Sequence, residues 1–363
     1  MQGFQPLAGV TVLDFSHVIA GPLASFYLKQ LGARVIKVEG REGDVMRRGG
    51  ARGEQAYAAL NHGKQEVTLD LADPAGREEA RALVGQVQIL LDNLRPGVLD
   101  RFGLGFAEAV KINPKLVYCS VSGFGRAGRW ASRPAYDHVI QAVSGMTMLA
   151  GKAGDPPIKT GFPVVDAGAG MLAALAMLAG LRQAEQTGRG MMLDVSMVGA
   201  AMQLLYPFAC DALTTGATPP RVGNQGYSGS PGADMFPTRD GWIAIGANKP
   251  KHIVALLKAL NLEALLQDRG IFPEGLSVSG PAAFARAADP AKLREKMAEA
   301  IALRGGEELE AALVALNVPV SRVLDLGQFA TEFRSDPPFP PTRLGEGENA
   351  VTSVGLGFKV TPA

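Results

Sequence analysis

The chain has 363 residues, 47% hydrophobic and 20% charged, which excludes a largely disordered chain and predicts a substantial buried core. A formal net charge of +1 argues against nucleic acid as a general partner. Two cysteines, Cys119 and Cys210, exclude a disulfide framework and a cysteine-rich metal site, and both read as buried thiols.

In chain order, Gly9 to Phe15 reads as a buried strand, residues 21–31 as a helix ended by Gly32, and Arg34 to Glu39 as a second strand. Strand, helix and strand within about 30 residues make a βαβ unit, which predicts a parallel sheet. The turn from Ser16 to Pro22 then lies at the carboxyl end of the first strand, where open α/β sheets bind ligands. Residues 40–57 read as a polar, glycine-rich surface loop carrying Arg41, Arg47, Arg48 and Arg52, which hold phosphates or face water. Strands follow at 66–70, 88–93 and 116–121, with a helix over 74–87 capped by Asp73 and Pro74, and a short helix ending at Arg101. Gly123 to Gly128 matches G-x-G-x-x-G literally. Trp130, Arg133 and Pro134 interrupt any helix after it, and no acidic residue lies between Asp137 and Asp155, so it reads as a loop.

Residues 136–150 read as helical, and a single carboxylate, Asp166, then sits in an apolar, glycine-rich run before helically spaced Met171, Leu172, Leu175, Met177, Leu178 and Leu181. Two readings fit. Asp166 is an N-cap, its charge favoured by free N–H groups and the helix dipole. Alternatively it is a nucleophile, with small neighbours such as Gly168 admitting an acyl group. The apolar helix is short and rich in small residues, so a membrane span is not expected. Beyond a strand at 191–197 the texture changes. The expected organisation is a large α/β domain (1–205), a linker (206–232), a small α+β domain (233–315) with a hairpin at the Asp240-Gly241 turn, and a return linker leading to the C-terminal part of the large domain (316–363).

Taken in order, LAGVTVLDFSHVIAGP, LGARVIKVE, LNHGKQEVTLDL, DNLRPGVLDRFGL, SVSGFG and PAYDHVIQAVSG resemble the family III CoA-transferases, the CaiB/BaiF-type proteins that include formyl-CoA transferases and α-methylacyl-CoA racemases. The resemblance implies an α/β fold with a Rossmann-like parallel-sheet large domain, a small α+β domain and an interlocked homodimer. By the family's G-x-P-[IV]-x-D-type stretch, Gly161 to Asp166, it makes Asp166 the catalytic nucleophile. It puts coenzyme A contacts at His17, Val18, Ala20, Leu69, Asn93, Leu94 and Arg101, with Arg95 a further candidate. Coenzyme A is then a substrate rather than a bound cofactor. The partners are an acyl-CoA, a carboxylic acid and a second copy of the chain, with no metal, nucleic acid or membrane. The N-terminal residues show no basic start before an apolar core, so no signal peptide and a cytoplasmic location are expected.

The racemase branch resembles this chain less. Its His-Asp pair corresponds to Tyr136-Asp137 here, and its small-domain Glu to Lys249. Tyrosine, with an ordinary pKa of about 10, is a poor base at neutral pH. His138, two residues along a helix, is expected to point away from Tyr136. Tyr136 and Asp137 remain secondary candidates, with Asp137 as a carboxylate orienting a loop. Backbone N–H groups of Ala167, Gly168 or the 226–232 loop around Gly229 are candidate oxyanion donors. The alternatives are a racemase and a non-catalytic acyl-CoA-binding relative; a nucleotide-binding oxidoreductase lacks the helix and acidic partner it needs.

Overall fold

The computed structural model describes residues 4–276, 284–337, 339, 341–347 and 350–361. Two compact units emerge. The first comprises Met1–Met148, Ile158–Pro219 and Pro337–Ala363; the second comprises Leu149–Pro157 and Pro220–Asp336.

The first unit is built on strands β1 (Thr11–Asp14), β2 (Arg34–Glu39), β3 (Gln65–Thr68), β4 (Ile89–Asp92), β5 (Val117–Ser122) and β6 (Met191–Ser196). They form one all-parallel sheet in the order β3-β2-β1-β4-β5-β6. The order reverses between β1 and β4, the place where such sheets open a crevice at their carboxyl ends. Its helices are α1 (Ala20–Gln30), α2 (Gly50–Asn61), α3 (Pro74–Val84), α4 (Val98–Arg101), α5 (Phe106–Ile112), α6 (Asp137–Val143), α7 (Val164–Thr187), α8 (Met197–Leu204) and α9 (Tyr206–Thr215). A short antiparallel pair near the C-terminus, Thr342–Leu344 with Val351–Ser353, also belongs to this unit.

The apolar runs that announce β1, β4 and β5 are buried on both sheet faces, as parallel strands require. Side chains alternate between two cores. Val12, Val35, Ile89, Leu91, Val117 and Cys119 join one cluster with residues of α1, α7 and α8, while Leu13, Ile36, Leu90 and Tyr118 join another with α3 and α5. Helix α7 enters the first cluster through Ala169, Ala173, Met177, Leu181 and Ala184, a spacing of about one helical turn. It runs 24 residues and is long and apolar enough to cross a membrane, contrary to expectation, yet this face is buried as a core helix would be. Close approach to α1 depends on Gly170: a Cβ there would lie 2.8 Å from the Ala20 carbonyl oxygen, a backbone atom that cannot swing aside. Gly170→Ala is therefore expected to cost about 1–3 kcal/mol despite alanine's better helix propensity, read as a lower denaturation midpoint.

Three local expectations are corrected. Residues 40–57 are not simply a loop: a 3₁₀ turn at Val45–Arg48 leads into α2, which Tyr57 anchors by burial. The helix expected over 136–150 stops at Val143, with a 3₁₀ turn at Met146–Met148. Cys119 is buried, as expected, but Cys210 is exposed.

The second unit has a three-stranded antiparallel sheet of β7 (Gly232–Thr238), β8 (Gly241–Ala247) and β9 (Val320–Arg322). The hairpin turns at Arg239-Asp240, and Asp240 accepts hydrogen bonds from the Gly306 N–H (2.8 Å) and the Thr238 hydroxyl (3.0 Å). Helices Pro250–Ala259, Pro290–Ala302 and Gly306–Ala315 cover it around Phe236, Ile243, Ile245, Leu256, Leu293 and Leu309.

Candidate active site

At the reversal of strand order the first unit opens a cavity of about 190 Å³. The loop after β1 contributes His17, Val18, Ile19 and Ala20; the loop after β4 contributes Asn93, Leu94, Arg95 and Pro96; the end of β5 contributes Val121, Ser122 and Gly123. Arg133, Tyr136 and Asp166 also line it. A second cavity of about 370 Å³ adjoins it, sharing His17 and Leu94 and adding Lys37, Glu39, Asp44, Leu69 and Asp70. Burial holds the His17 imidazole below its ordinary pKa, so it is neutral between the two cavities at pH 7.

Asp166 is not an N-cap. It is the third residue of α7, whose cap position is Pro163, and its side chain makes no capping bond. The cap is supplied from another helix. Asp137, the first residue of α6, is buried and accepts the N–H groups of Val165 (2.8 Å) and Asp166 (3.0 Å) through Oδ2. Its Oδ1 accepts from Gln141 Nε2, which also donates to the Thr160 hydroxyl (2.9 Å), while Gln141 Oε1 accepts the Thr160 N–H (2.9 Å). The remaining first-turn donors are also engaged: Val164 N–H with the Phe162 carbonyl and Ala167 N–H with the Pro163 carbonyl. So the N–H groups expected to stabilise Asp166 serve Asp137 instead, and Ala167 does not offer its N–H to an oxyanion. Asp166 is left with burial, which raises its pKa, and with the nearby negative charge of Asp137, which raises it further; together they bring it to about 6.

The other candidates fall as follows. His17, Val18, Ala20, Asn93, Leu94, Arg95, Tyr136 and Asp166 come together in the smaller cavity, and Leu69 lines the larger one. Arg101, in the last turn of α4, lines neither and is exposed. Gly168 faces α8, where a Cβ would lie 2.9 Å from Leu204. Gly229 lies in the second unit, in a segment tied down by Ser230 Oγ bonding the Ala247 carbonyl (2.8 Å) and Arg286 bonding the Ser228 carbonyl (2.9 Å). Tyr136 precedes α6 in an extended conformation and is largely exposed. Its ring stacks on His138 (6.4 Å between centroids), so these two side chains lie together rather than on opposite sides; the extended backbone at Tyr136 breaks the helical rotation. His138 does not line the cavity.

Of the four loop arginines, Arg41, Arg47 and Arg48 are paired with carboxylates of their own unit, and Arg52 is exposed. Arg47 bonds Glu39 (3.0 Å) and lies over the Tyr57 ring (3.8 Å), Arg48 pairs with Glu42, and Arg41 with Asp70. Sequence reasoning missed Lys37, Asp44 and Gln141. Only a lysine inside an otherwise apolar strand signalled the first, and nothing local signalled the other two.

A family model described as CoA-transferase family III matches residues 7–361. The chain is 33% identical over 269 residues to succinyl-CoA:glutarate CoA-transferase of Mus musculus, covering 73% of this chain and 62% of that one. It is 34% identical over 268 residues to acetyl-CoA:oxalate CoA-transferase of Acetobacter aceti, covering 72% and 69%. The alignment thus spans less than two thirds of the mouse relative's length. Among solved structures, a CaiB/BaiF family protein from Brucella suis superimposes with a TM-score of 0.79 at 29% identity, over 92% of this chain and 86% of that one. By its sequence from Leu7 onward and by its fold, the chain belongs to CoA-transferase family III.

Proposed function

We propose that the protein moves coenzyme A between an acyl-CoA thioester and a free carboxylic acid, with Asp166 as the nucleophile. The observation that carries this reading is the half-buried Asp166 carboxyl, raised to about 6, lining a cavity at the sheet's ligand-binding edge with His17, Asn93 and Arg95. At pH 7 such a group is mostly ionised yet weakly stabilised, the state a carboxylate nucleophile needs.

The Asp166 carboxylate attacks the thioester carbonyl of the donor. The C–S bond breaks, coenzyme A leaves as thiolate, and a mixed anhydride remains on Asp166. The thiolate then attacks the aspartyl carbonyl, expelling the donor acid as carboxylate and leaving an aspartyl-CoA thioester. The acceptor carboxylate attacks that thioester, releasing thiolate and forming a second anhydride. Thiolate attack on the acceptor's acyl carbon yields the new acyl-CoA and frees Asp166. No net proton is consumed, and the thioester's energy is retained at every stage. Because the first-turn amides of α7 are engaged, the oxyanion donors come from elsewhere. Arg95 and Arg133 give the cavity the cationic lining that an anionic acid would meet, in keeping with the dicarboxylic acids named for the relatives.

The working form is a homodimer in this reading. Met171 and Leu175 on α7, both more than half exposed, and α9, which buries none of its residues, leave an apolar surface that a second copy would cover.

Trapping tests the reading. Incubation with succinyl-CoA and hydroxylamine is expected to convert the activated aspartyl group to a hydroxamate, adding about 15 Da to the peptide holding Asp166. An unmodified peptide in a protein that binds coenzyme A points instead to a binding-only relative. Exchange of the proton next to the thioester in deuterated water points to a racemase.

A further inference from the structure

The loop that carries His17 is held by side chains at each backbone polar group from the Ser16 N–H to the Val18 N–H, and all of them but Asn93 are buried. The Ser16 N–H meets Asp14 Oδ1 (2.8 Å), and the Ser16 carbonyl meets Lys37 Nζ (2.6 Å). Asn93 grips His17 on both sides, accepting its N–H (2.8 Å) and donating to its carbonyl (2.7 Å). The Val18 N–H meets Asp44 Oδ2 (3.1 Å). At that point the backbone turns left-handed: Val18 has φ +67°, a conformation that costs a β-branched residue dearly. Asp44 has a fully buried side chain lying 3.5 Å from the equally buried Lys37 ammonium, and its Oδ1 also accepts the Met46 N–H (2.9 Å). Val18 lines the cavity that holds Asp166, and Asp44 lines the adjoining one.

We propose that Asp44 is a positioning residue for acyl-CoA binding: it holds Val18 in its left-handed turn and thereby fixes His17 and Val18 where the two cavities meet. A strained backbone persists only where its surroundings over-determine it, and strain of this kind concentrates at ligand sites. The Val18 turn meets both conditions. A charged acceptor makes a stronger bond to an N–H than a neutral one does, and the Asp44 carboxyl lies 3.5 Å from Lys37 Nζ. The proposal rests on the functional reading above and adds to it a residue that lies 122 positions from Asp166 in sequence.

A double-mutant cycle tests it, because glycine adopts φ +67° without needing to be held. Coenzyme A binding is titrated by calorimetry for wild type, Asp44→Ala, Val18→Gly and the pair, with the thermal midpoint of each recorded. Asp44→Ala is expected to weaken binding by about ten-fold or more with Val18 present, but by less than about three-fold in the Val18→Gly background. A merely structural Asp44 would lower the midpoint and weaken binding equally in both backgrounds; equal losses overturn the proposal, as does Asp44→Ala binding within about three-fold of wild type. Should Asp44→Ala not fold, Asp44→Asn takes its place, keeping the side chain's size while losing the charge, with the same rescue by Val18→Gly required. Wild-type protein that binds no coenzyme A overturns the functional reading itself, whereas wild-type binding without coupling overturns only the role of Asp44.

Discussion

Asp166→Asn is expected to abolish CoA transfer and to stabilise the protein. Removing the nucleophile from a covalent mechanism costs on the order of 10⁴-fold or more in kcat/KM, since the amide cannot form the anhydride. The stability effect runs the other way. The folded pKa of Asp166, about 6, lies above its unfolded value near 3.8, so folding favours the protonated form. The stability this group contributes is fully present below pH 3.8 and is lost as pH rises through 6. Asparagine, uncharged at every pH, escapes that loss. The variant is expected to be more stable than wild type above pH 6 by about 1–3 kcal/mol, and the difference should vanish toward pH 4. Denaturation midpoints at pH 4 and pH 8 measure it. A variant that loses activity but gains no stability at pH 8 would mean that Asp166 is comfortably solvated, against the reading of a group kept reactive by its site.

The second large effect is at Asp137. Asp137→Asn keeps the shape but not the bonding pattern. If the new Oδ1 accepts the Val165 and Asp166 N–H groups, its amide meets Gln141 Nε2, donor against donor; turning Gln141 over sets its amide against the Thr160 N–H instead. One buried pair is mismatched either way, at a cost of about 1–3 kcal/mol. The entry to α7 shifts with it, and a displacement near 1 Å at a reacting group costs about 10²-fold in rate. The distinguishing result is the pH profile. Removing the Asp137 charge removes one of the two causes that raise the Asp166 pKa, so the acid limb of kcat/KM is expected to move below its wild-type position near 6. A slower enzyme with an unmoved limb would leave Asp137 as support for α7 alone.

The frame of the large unit was legible because its strands bury both faces. Val12-Leu13-Asp14, Ile89 to Asp92 and Val117 to Ser122 are nearly continuous apolar or small runs, each ended by a turn or followed by a helix. Asp73-Pro74 likewise announced α3, where Asp73 accepts the Ala75 N–H (3.1 Å). What escaped notice was set by contacts distant in the chain. Gly49, Gly50 and Gly53 disguise α2 as a loop, and the interactions that hold it, Tyr57 with Glu39 and Arg47, come together only in the folded unit. The first turn of α7 looked ready to cap Asp166, because nothing near it in sequence shows that a carboxylate 29 residues earlier takes those amides. Asp44 gave no local sign of its task, since the strain it restrains lies at Val18.

The diversion of the α7 amides to Asp137 also bears on which way a mixed anhydride breaks. An anhydride has two carbonyls, and attack at either expels the carboxylate of the other. The weaker base leaves more readily. Ordinary carboxylic acids have pKa values of about 4, whereas Asp166, deprived of the helix amides, stands at about 6. On the proposed pathway, thiolate attack at the aspartyl carbon expels the substrate's less basic carboxylate and moves the reaction forward. Attack at the substrate's acyl carbon must expel the more basic Asp166 and merely restores the starting thioester. A cap borrowed from another helix would in this way bias both anhydrides of the pathway toward the aspartyl-CoA thioester, which drives the first half of the exchange forward and leaves release of the new acyl-CoA as the harder step.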